Sequence, residues 1–354
     1  MCDAASTPSA AAAGFVVPVD LGAYTGEPIP LEPVERVTIT TVIDNVVDML
    51  AADSGPARRR PLMQWPWQEA PTMADGRVPD GPKAEHGFSA LVEVTRKGGS
   101  VHRLLFDTGV TPDGMAENMR RMDIRPGDVE VVVCSHGHFD HTGGLDGLAR
   151  AVGRANLPVV IHPEFWSKRR IALPGRDPWE LPTTSRKALE QAGFDIVEAP
   201  KPSFLFEGSV LVTGEVARTT DFETGFPVHQ ALRGGTWEPD PLILDDQALV
   251  LNVRGRGLVV LTGCGHAGVV NIVRYARHLT GVEAVHAVMG GFHLTGGLFE
   301  SIIPATVEAL ADLGPDVVVP AHCSGWKAAA ALAARLPEAF IQNTVGTRFE
   351  LAAA

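Results

Sequence analysis

Ser135-His136-Gly137-His138-Phe139-Asp140-His141-Thr142-Gly143-Gly144 is the stretch on which the reading of this chain turns. Three histidines and one aspartate fall within six residues of a chain that has 12 histidines in 354. A surface loop would hold such a cluster only by unusual chance. A largely apolar run, Val129 to Cys134, precedes it and reads as a buried strand. Side chains alternate faces along an extended chain, so His136 and His138 point the same way. Two imidazoles at one strand end can grip one metal ion. The chain then turns at Phe139-Asp140, and Asp140 with His141 can reach a second ion beside the first. Imidazole and carboxylate suit zinc, with manganese or iron as alternatives. Gly143 and Gly144 allow a tight backbone turn beneath the site.

The same arrangement recurs along the chain. Val101 to Phe106 reads as a strand and ends in Asp107-Thr108-Gly109. Leu258 to Thr262 ends in Gly263-Cys264-Gly265-His266, Ala284 to Met289 in Gly290-Gly291-Phe292-His293, and Val317 to Val319 in Pro320-Ala321-His322. Helical patterns follow four of these five strands. In strand-helix sheets, functional loops gather at the carboxyl ends of strands. Five polar clusters in that position imply one shared pocket.

The rest of the chain sets bounds. Net charge is −12, and 45% of residues are hydrophobic. An acidic balance argues against a nucleic-acid surface, which needs a basic face. The expected partner is a small-molecule substrate, and the oligomeric state is open. No apolar run is long enough for a membrane span. Cys2, Cys134, Cys264 and Cys323 show no framework spacing, which suggests reduced thiols and a cytoplasmic location. Met1 to Ala13 lacks the basic and apolar regions of a signal peptide. Residues 1–35 read as a partly irregular N-terminal extension and 36–354 as one domain. Irregular insertions are expected near 54–83 and 163–183. The first, with Trp65 and Trp67, is read equally as a lid or as surface packing. The second carries Lys168, Arg169 and Arg170, which are candidates to hold an anionic substrate group, with a solvated basic loop as the alternative. Met115, Met119 and Met122 at helical spacing read as core.

Taken in order, Asp44-Asn45, Glu85-His86-Gly87, Phe106 to Gly109, Ser135 to Leu145, Asp245-Asp246-Gln247-Ala248, Thr262 to Gly268, Gly290 to Leu294 and His322-Cys323 resemble one family. It is the metallo-β-lactamase-fold superfamily, in its dihydropterin ribofuranosylaminobenzene phosphate synthase-like branch. The resemblance covers roughly residues 36–345. It implies a four-layer αββα sandwich with two metals at one edge of the sheets.

The chain departs from the superfamily pattern in two places. The strand that should end in Gly-Asp ends in Gly263-Cys264, and no Gly-His-Thr turn precedes it. His266 is therefore expected to complete the first metal site with His136 and His138. His322, in Pro320-Ala321-His322, completes the second with Asp140 and His141. His162 and His229 are not expected to bind metal, His229 because it lies in a Gly- and Pro-rich loop. His293 is read as a substrate contact and, with Asp140, a catalytic candidate, with a ligand role as the alternative. Asp107 orders the metal loop by hydrogen bonds. Cys264 is expected to be a buried inert thiol rather than a metal contact.

These residues point first to hydrolysis of an ester, phosphoester or lactone. A metal-bound water with its pKa lowered to about 7 would attack, and Asp140 would orient it and accept its proton. The branch implies a second chemistry, transfer joining a dihydropterin to a phosphoribosyl-aminobenzene. Iron redox chemistry and non-catalytic ligand binding are further alternatives.

Overall fold

The computed structural model describes Val17–Pro18, residues 28–153 and residues 156–354. Most of the expected N-terminal extension lies outside the described residues.

Two large sheets form the centre. One runs in the order Phe194–Glu198, Leu157–Ile161, Val131–Val133, Val101–Phe106, Ser89–Thr95, Arg36–Ile43, Arg348–Ala352 and Ala57–Arg58. The other runs Val17–Pro18, Ser203–Leu205, Val210–Val212, Leu249–Val253, Gly257–Thr262, Val285–Gly291 and Val317–Ala321.

Strand periodicity explains the layering. Ala90, Val92 and Val94 face the other sheet, with Val131 and Val133 beside them. Leu91 and Val132 face the opposite way, onto Met115, Met119, Leu145, Leu148 and Leu189. Those residues belong to the helices Gly114–Arg121, Leu145–Val152 and Arg186–Gln191. In the other sheet Val259 and Leu261 point inward. Leu258 and Val260 point outward, onto the helices Val269–Thr280, Ile303–Leu313 and Gly325–Arg335. Each strand thus carries apolar residues on both faces, the mark of a sheet covered on both sides. The result is the four-layer αββα sandwich.

Within each sheet a set of strands runs parallel. Val101–Phe106, Val131–Val133 and Leu157–Ile161 do so in one. Gly257–Thr262, Val285–Gly291 and Val317–Ala321 do so in the other. The loops that leave the carboxyl ends of these strands hold the clustered polar residues, and side chains from the two sheets meet there.

Three features of the sequence reading change. First, 163–183 and the loop near His229 are not simply irregular. Trp179–Glu180, Arg169–Ile171, His229–Arg233 and Thr236–Pro239 form a small four-stranded sheet. Its hairpin turns at Gly234-Gly235, both with positive φ, the backbone a tight two-residue turn requires. Second, Arg348–Ala352, a strand absent from that reading, pairs antiparallel with Arg36–Ile43. Third, 54–83 contributes short strands, and Trp65 is buried against Gly346. That tryptophan packs the fold and does not cover the metal loop. Among the described residues, no helix is long and apolar enough to cross a membrane.

Candidate metal centre

Two groups of donor atoms meet where the strand ends converge. His136, His138 and His266 form one, and Asp140, His141, Cys264 and His322 form the other. Within each group the donor atoms all lie within 4.8 Å of one another.

Hydrogen bonds fix how the rings of the first group present themselves. Ser135 Oγ donates to Asp107 Oδ2 at 2.7 Å, so it accepts from His136 Nδ1 at 2.9 Å. That leaves the lone pair of His136 on Nε2. His229 Nδ1 faces the Asp240 carbonyl oxygen at 3.0 Å, which can only accept. In the neutral ring Nε2 of His229 is then the acceptor, and His138 Nε2 donates to it at 3.0 Å. The lone pair of His138 is therefore on Nδ1. His266 Nε2 lies 3.2 Å from both His136 Nε2 and His138 Nδ1. Nitrogens held by one tetrahedral zinc ion are about 3.3 Å apart, given zinc–nitrogen distances near 2.0–2.1 Å. Burial pushes all three rings well below the usual imidazole range, so they are neutral donors.

The second group carries the acids. Asn45 Oδ1 accepts from Gly87 N at 3.2 Å, so His322 Nδ1 donates to it at 3.0 Å. His322 Nε2 then holds a lone pair, 3.3 Å from Asp140 Oδ2. Two acceptors face each other with no hydrogen between them. Burial pushes His322 down to about 4. Burial opposes charge on Asp140 too, but the His141 charge beside it holds its carboxyl well below the usual range. His141 Nδ1 meets Asp107 Oδ2 at 2.7 Å, and its Nε2 lies 3.1 Å from Cys264 Sγ. Burial disfavours a charge there, yet Asp107 and Asp140 outweigh it and raise the ring to about 9. The acidic surroundings demand a positive charge, which a proton supplies when no cation does. Facing acceptors, neutral imidazoles and an excess of negative charge fit divalent cations.

The scaffold behind these donors is strained and close-packed. Asp107, His293 and His322 have φ of 58°, 46° and 46°. Left-handed backbone at a non-glycine residue costs of order 1–3 kcal/mol and gathers at functional sites. Gly263 permits close approach of the two sheets, since a Cβ there would run into Ser135 Oγ. Asp44 accepts the backbone N–H of His322 at 2.7 Å and the Asn343 side chain at 2.8 Å. Asp246 Oδ2 accepts the N–H of Ala267 at 2.9 Å, which fixes the loop bearing His266. Burial raises Asp246 to about 7.

The structure places each expected residue. His136, His138 and His266 stand together, as do Asp140, His141 and His322. Asp107 lies behind them, bonded to Ser135 and His141. Cys264 lies inside the second donor group. His293 packs against His266 with the rings tilted, centroids 4.2 Å apart, and lines a small cavity of ≈90 Å³ with Phe292 and Phe299. His162 lies outside both donor groups, its Nδ1 accepting from Glu164 N at 3.1 Å.

Two readings need correction. His229 lies outside both donor groups, but it is not in an unsupported loop. It opens a strand, is fully buried and touches His138. Arg169 is not a cation free for substrate. It is 2% exposed and bonds Asp245 (Nη1 to Oδ2, 3.0 Å) and Asp240 (Nε to Oδ2, 3.3 Å). Arg170 bonds Gln230 at 2.7 Å and stacks on Trp237. Lys168 is exposed. Alternation along the strand Arg169–Ile171 turns Arg169 inward, onto the face opposite Arg170.

Sequence reasoning assigned no role to Asn45, Ser135, Asp246 or His86. His86 Nε2 lies 3.5 Å from Asp140 Oδ2, with its side chain 65% exposed at the mouth of the site. All four sit in quoted motifs, which was their only signal.

Comparison with known proteins agrees with this architecture. The family model for the Metallo-beta-lactamase superfamily matches residues 83–280. A relative from Methanocaldococcus jannaschii, named 7,8-dihydropterin-6-methyl-4-(beta-D-ribofuranosyl)-aminobenzene-5'-phosphate synthase, is 31% identical over 253 residues, 69% of this chain and 83% of its own. An uncharacterized protein of the same organism is 29% identical over 251 residues, 69% of this chain and 86% of its own. A solved structure described as a metal-dependent hydrolase of the beta-lactamase superfamily superposes with a TM-score of 0.66 at 22% identity. It covers 89% of this chain and 99% of its own. With the four layers, the donor groups at the sheet edge and these matches in hand, the chain belongs to the metallo-β-lactamase superfamily, in the branch of the synthase-named relative.

Proposed function

We propose that this chain is a metal-dependent hydrolase that cleaves an ester, phosphoester or lactone bond of a small molecule. The observation that carries the reading is the facing pair of acceptors, His322 Nε2 and Asp140 Oδ2, 3.3 Å apart beside a cluster of three neutral imidazoles. His136, His138 and His266 would hold one divalent ion, and Asp140, His141 and His322, with Cys264 beside them, a second. Bound there, such ions supply Lewis acidity and lower the pKa of water.

The chain's own groups do the rest. Asp140 stays ionised, so it can orient a water molecule and accept its proton. His86 reaches Asp140 from the mouth and is placed to touch substrate. His293, Phe292 and Phe299 present a mixed apolar and imidazole wall beside His266, suited to the uncharged part of a substrate.

A second reading is transfer rather than hydrolysis, joining a dihydropterin to a phosphoribosyl-aminobenzene. The 31% identity to a relative named as such a synthase supports it. One experiment separates the two. Purified protein is assayed for bound metal, then given ester, lactone and phosphoester panels and, separately, the pterin and aminobenzene pair. Chelator-sensitive cleavage of a panel member that is lost in Asp140→Asn supports hydrolysis. Condensation of the pair without cleavage of any panel member transfers the assignment to the second reading. Absence of bound metal overturns both.

A further inference from the structure

A second cleft lies apart from the metal centre. It has a volume of ≈550 Å³ and opens between the insertion at Arg58–Trp65, the segment Met122–Val129 and the outer face of the eight-stranded sheet. None of its lining residues belongs to a donor group. Arg103, in its wall, lies four residues before Asp107, roughly 13 Å back along the strand.

The charge of this cleft opposes that of the molecule. Six arginines line it, Arg58, Arg59, Arg60, Arg103, Arg125 and Arg348, against three carboxylates. The whole chain is at −12. Three arginines are well paired: Arg60 with Asp123 at 2.7 Å, Arg103 with Glu93 at 3.0 Å and Arg125 with Asp128 at 2.9 Å. The other three are not. Arg348 sits 3.8 Å from Glu93 and 3.4 Å from Glu350, and Arg58 is 4.0 Å from Glu350. Among the described residues no carboxylate lies within 4.0 Å of the Arg59 guanidinium, which donates to the carbonyls of Ala52 and Gln342 instead. Trp65 lines the cleft and is 5% exposed, with the Arg60 guanidinium over its ring. Leu91, Met122, Ile124 and Val129 add an apolar wall.

We infer that this cleft binds a small organic phosphate. Guanidinium forks match phosphate oxygens in pairs. Three under-neutralised guanidinium groups would meet the anion, and the apolar wall would meet its organic body. The volume falls within the ordinary range of ligand sites, about 300–1,000 Å³. The inference does not depend on the reaction proposed above.

The test is calorimetric titration of the metal-loaded protein with ribose 5-phosphate and with ribose, in low-salt chloride buffer. The comparison variants are Arg58→Gln/Arg348→Gln, at the rim of the cleft, and His322→Ala, in the metal site. The expected result is saturable binding of the phosphate and none of ribose. Affinity should fall about tenfold or more in the rim variant and persist in His322→Ala. Binding that is absent, equal for ribose, unchanged in the rim variant, or lost only in His322→Ala overturns the inference. Should the rim variant melt early, Arg58→Gln alone replaces it, because that side chain is 48% exposed. A carboxylate such as citrate that binds while the phosphate does not also overturns it.

Discussion

His138 Nε2 and His229 Nε2 stand 3.0 Å apart, and that contact decides which nitrogen His138 offers to the pocket. The Asp240 carbonyl holds the proton of His229 on Nδ1, His229 then accepts from His138, and the free lone pair of His138 is on Nδ1. His229 thus acts through another residue. His229→Ala should lower metal affinity by about 10–100-fold, the usual effect of removing a ligand's hydrogen-bond partner. His229→Gln, which keeps an acceptor, should recover part of it. Competition with a chelator measures both. Equal affinities in wild type and His229→Ala would assign the contact to packing alone.

Arg169 yields a different prediction from the one its sequence suggests. It neutralises Asp245, and Asp245 Oδ2 also accepts the N–H of Gly137 at 2.8 Å between the two histidines of the metal loop. Arg169→Ala leaves the buried Asp245 uncompensated, while Asp240 keeps Arg233 at 3.0 Å, and should cost about 3–5 kcal/mol of stability. Lys168→Ala and Arg170→Ala should cost under about 1 kcal/mol. Chemical denaturation of the three variants checks the ranking. A stable Arg169→Ala protein with a raised KM would restore the substrate-binding role.

How far the sequence reaches can be judged from particular residues. The strand ends were readable because apolar runs and polar termini alternate so regularly. Val131–Val133 and Val317–Ala321 follow directly from that pattern. The grouping of His266 with His136 and His138 was also within reach, since glycines on both sides mark a backbone that must come close. His229 was not. Its strand is held on one side by Arg169–Ile171, a non-local pairing, and on the other by Thr236–Pro239 across a tight hairpin. Only Gly234-Gly235 announces the hairpin. Arg169 was misjudged because sequence shows a charge but not the carboxylates, Asp240 and Asp245, that reach it from more than 70 positions away.

The metal-free protein should have a stability maximum near neutral pH. Burial holds His136, His138 and His266 well below the ordinary imidazole value of about 6.5, and His322 at about 4. Between pH 6.5 and about 4 the unfolded chain binds protons that the folded chain refuses, so stability falls on acidification. His141 has the opposite sign. Its value is raised to about 9, so its contribution is complete below pH 6.5 and is lost as pH rises through 9. Six rings, His162 and His293 included, act on the acid side; Asp44 and Asp246, raised to about 6 and 7, offset part of this, and one ring acts on the alkaline side, so the acid limb should be steeper. Thermal melts of chelator-treated protein from pH 4 to 10 would show it. A flat profile across that range contradicts the neutral state assigned to these rings.

Cys264 is the last donor to place. Its Sγ lies 3.1 Å from His141 Nε2, among the donors of the second group. Burial raises the thiol well above its ordinary value, and the nearby Cys323 adds to this. Without a cation Cys264 is therefore a neutral thiol. A coordinating cation reverses the balance, because a ligating thiol is deprotonated outright. We expect wild-type protein loaded with cobalt to show an intense near-ultraviolet sulfur-to-metal absorption, and Cys264→Ala to lack it. The variant should also keep the ion held by His136, His138 and His266 while binding the second ion more weakly, because only the second group loses a donor. Metal stoichiometry after dialysis against a weak chelator separates the two sites. Two ions retained in Cys264→Ala, with an unchanged cobalt spectrum, would return Cys264 to the inert thiol expected from its burial.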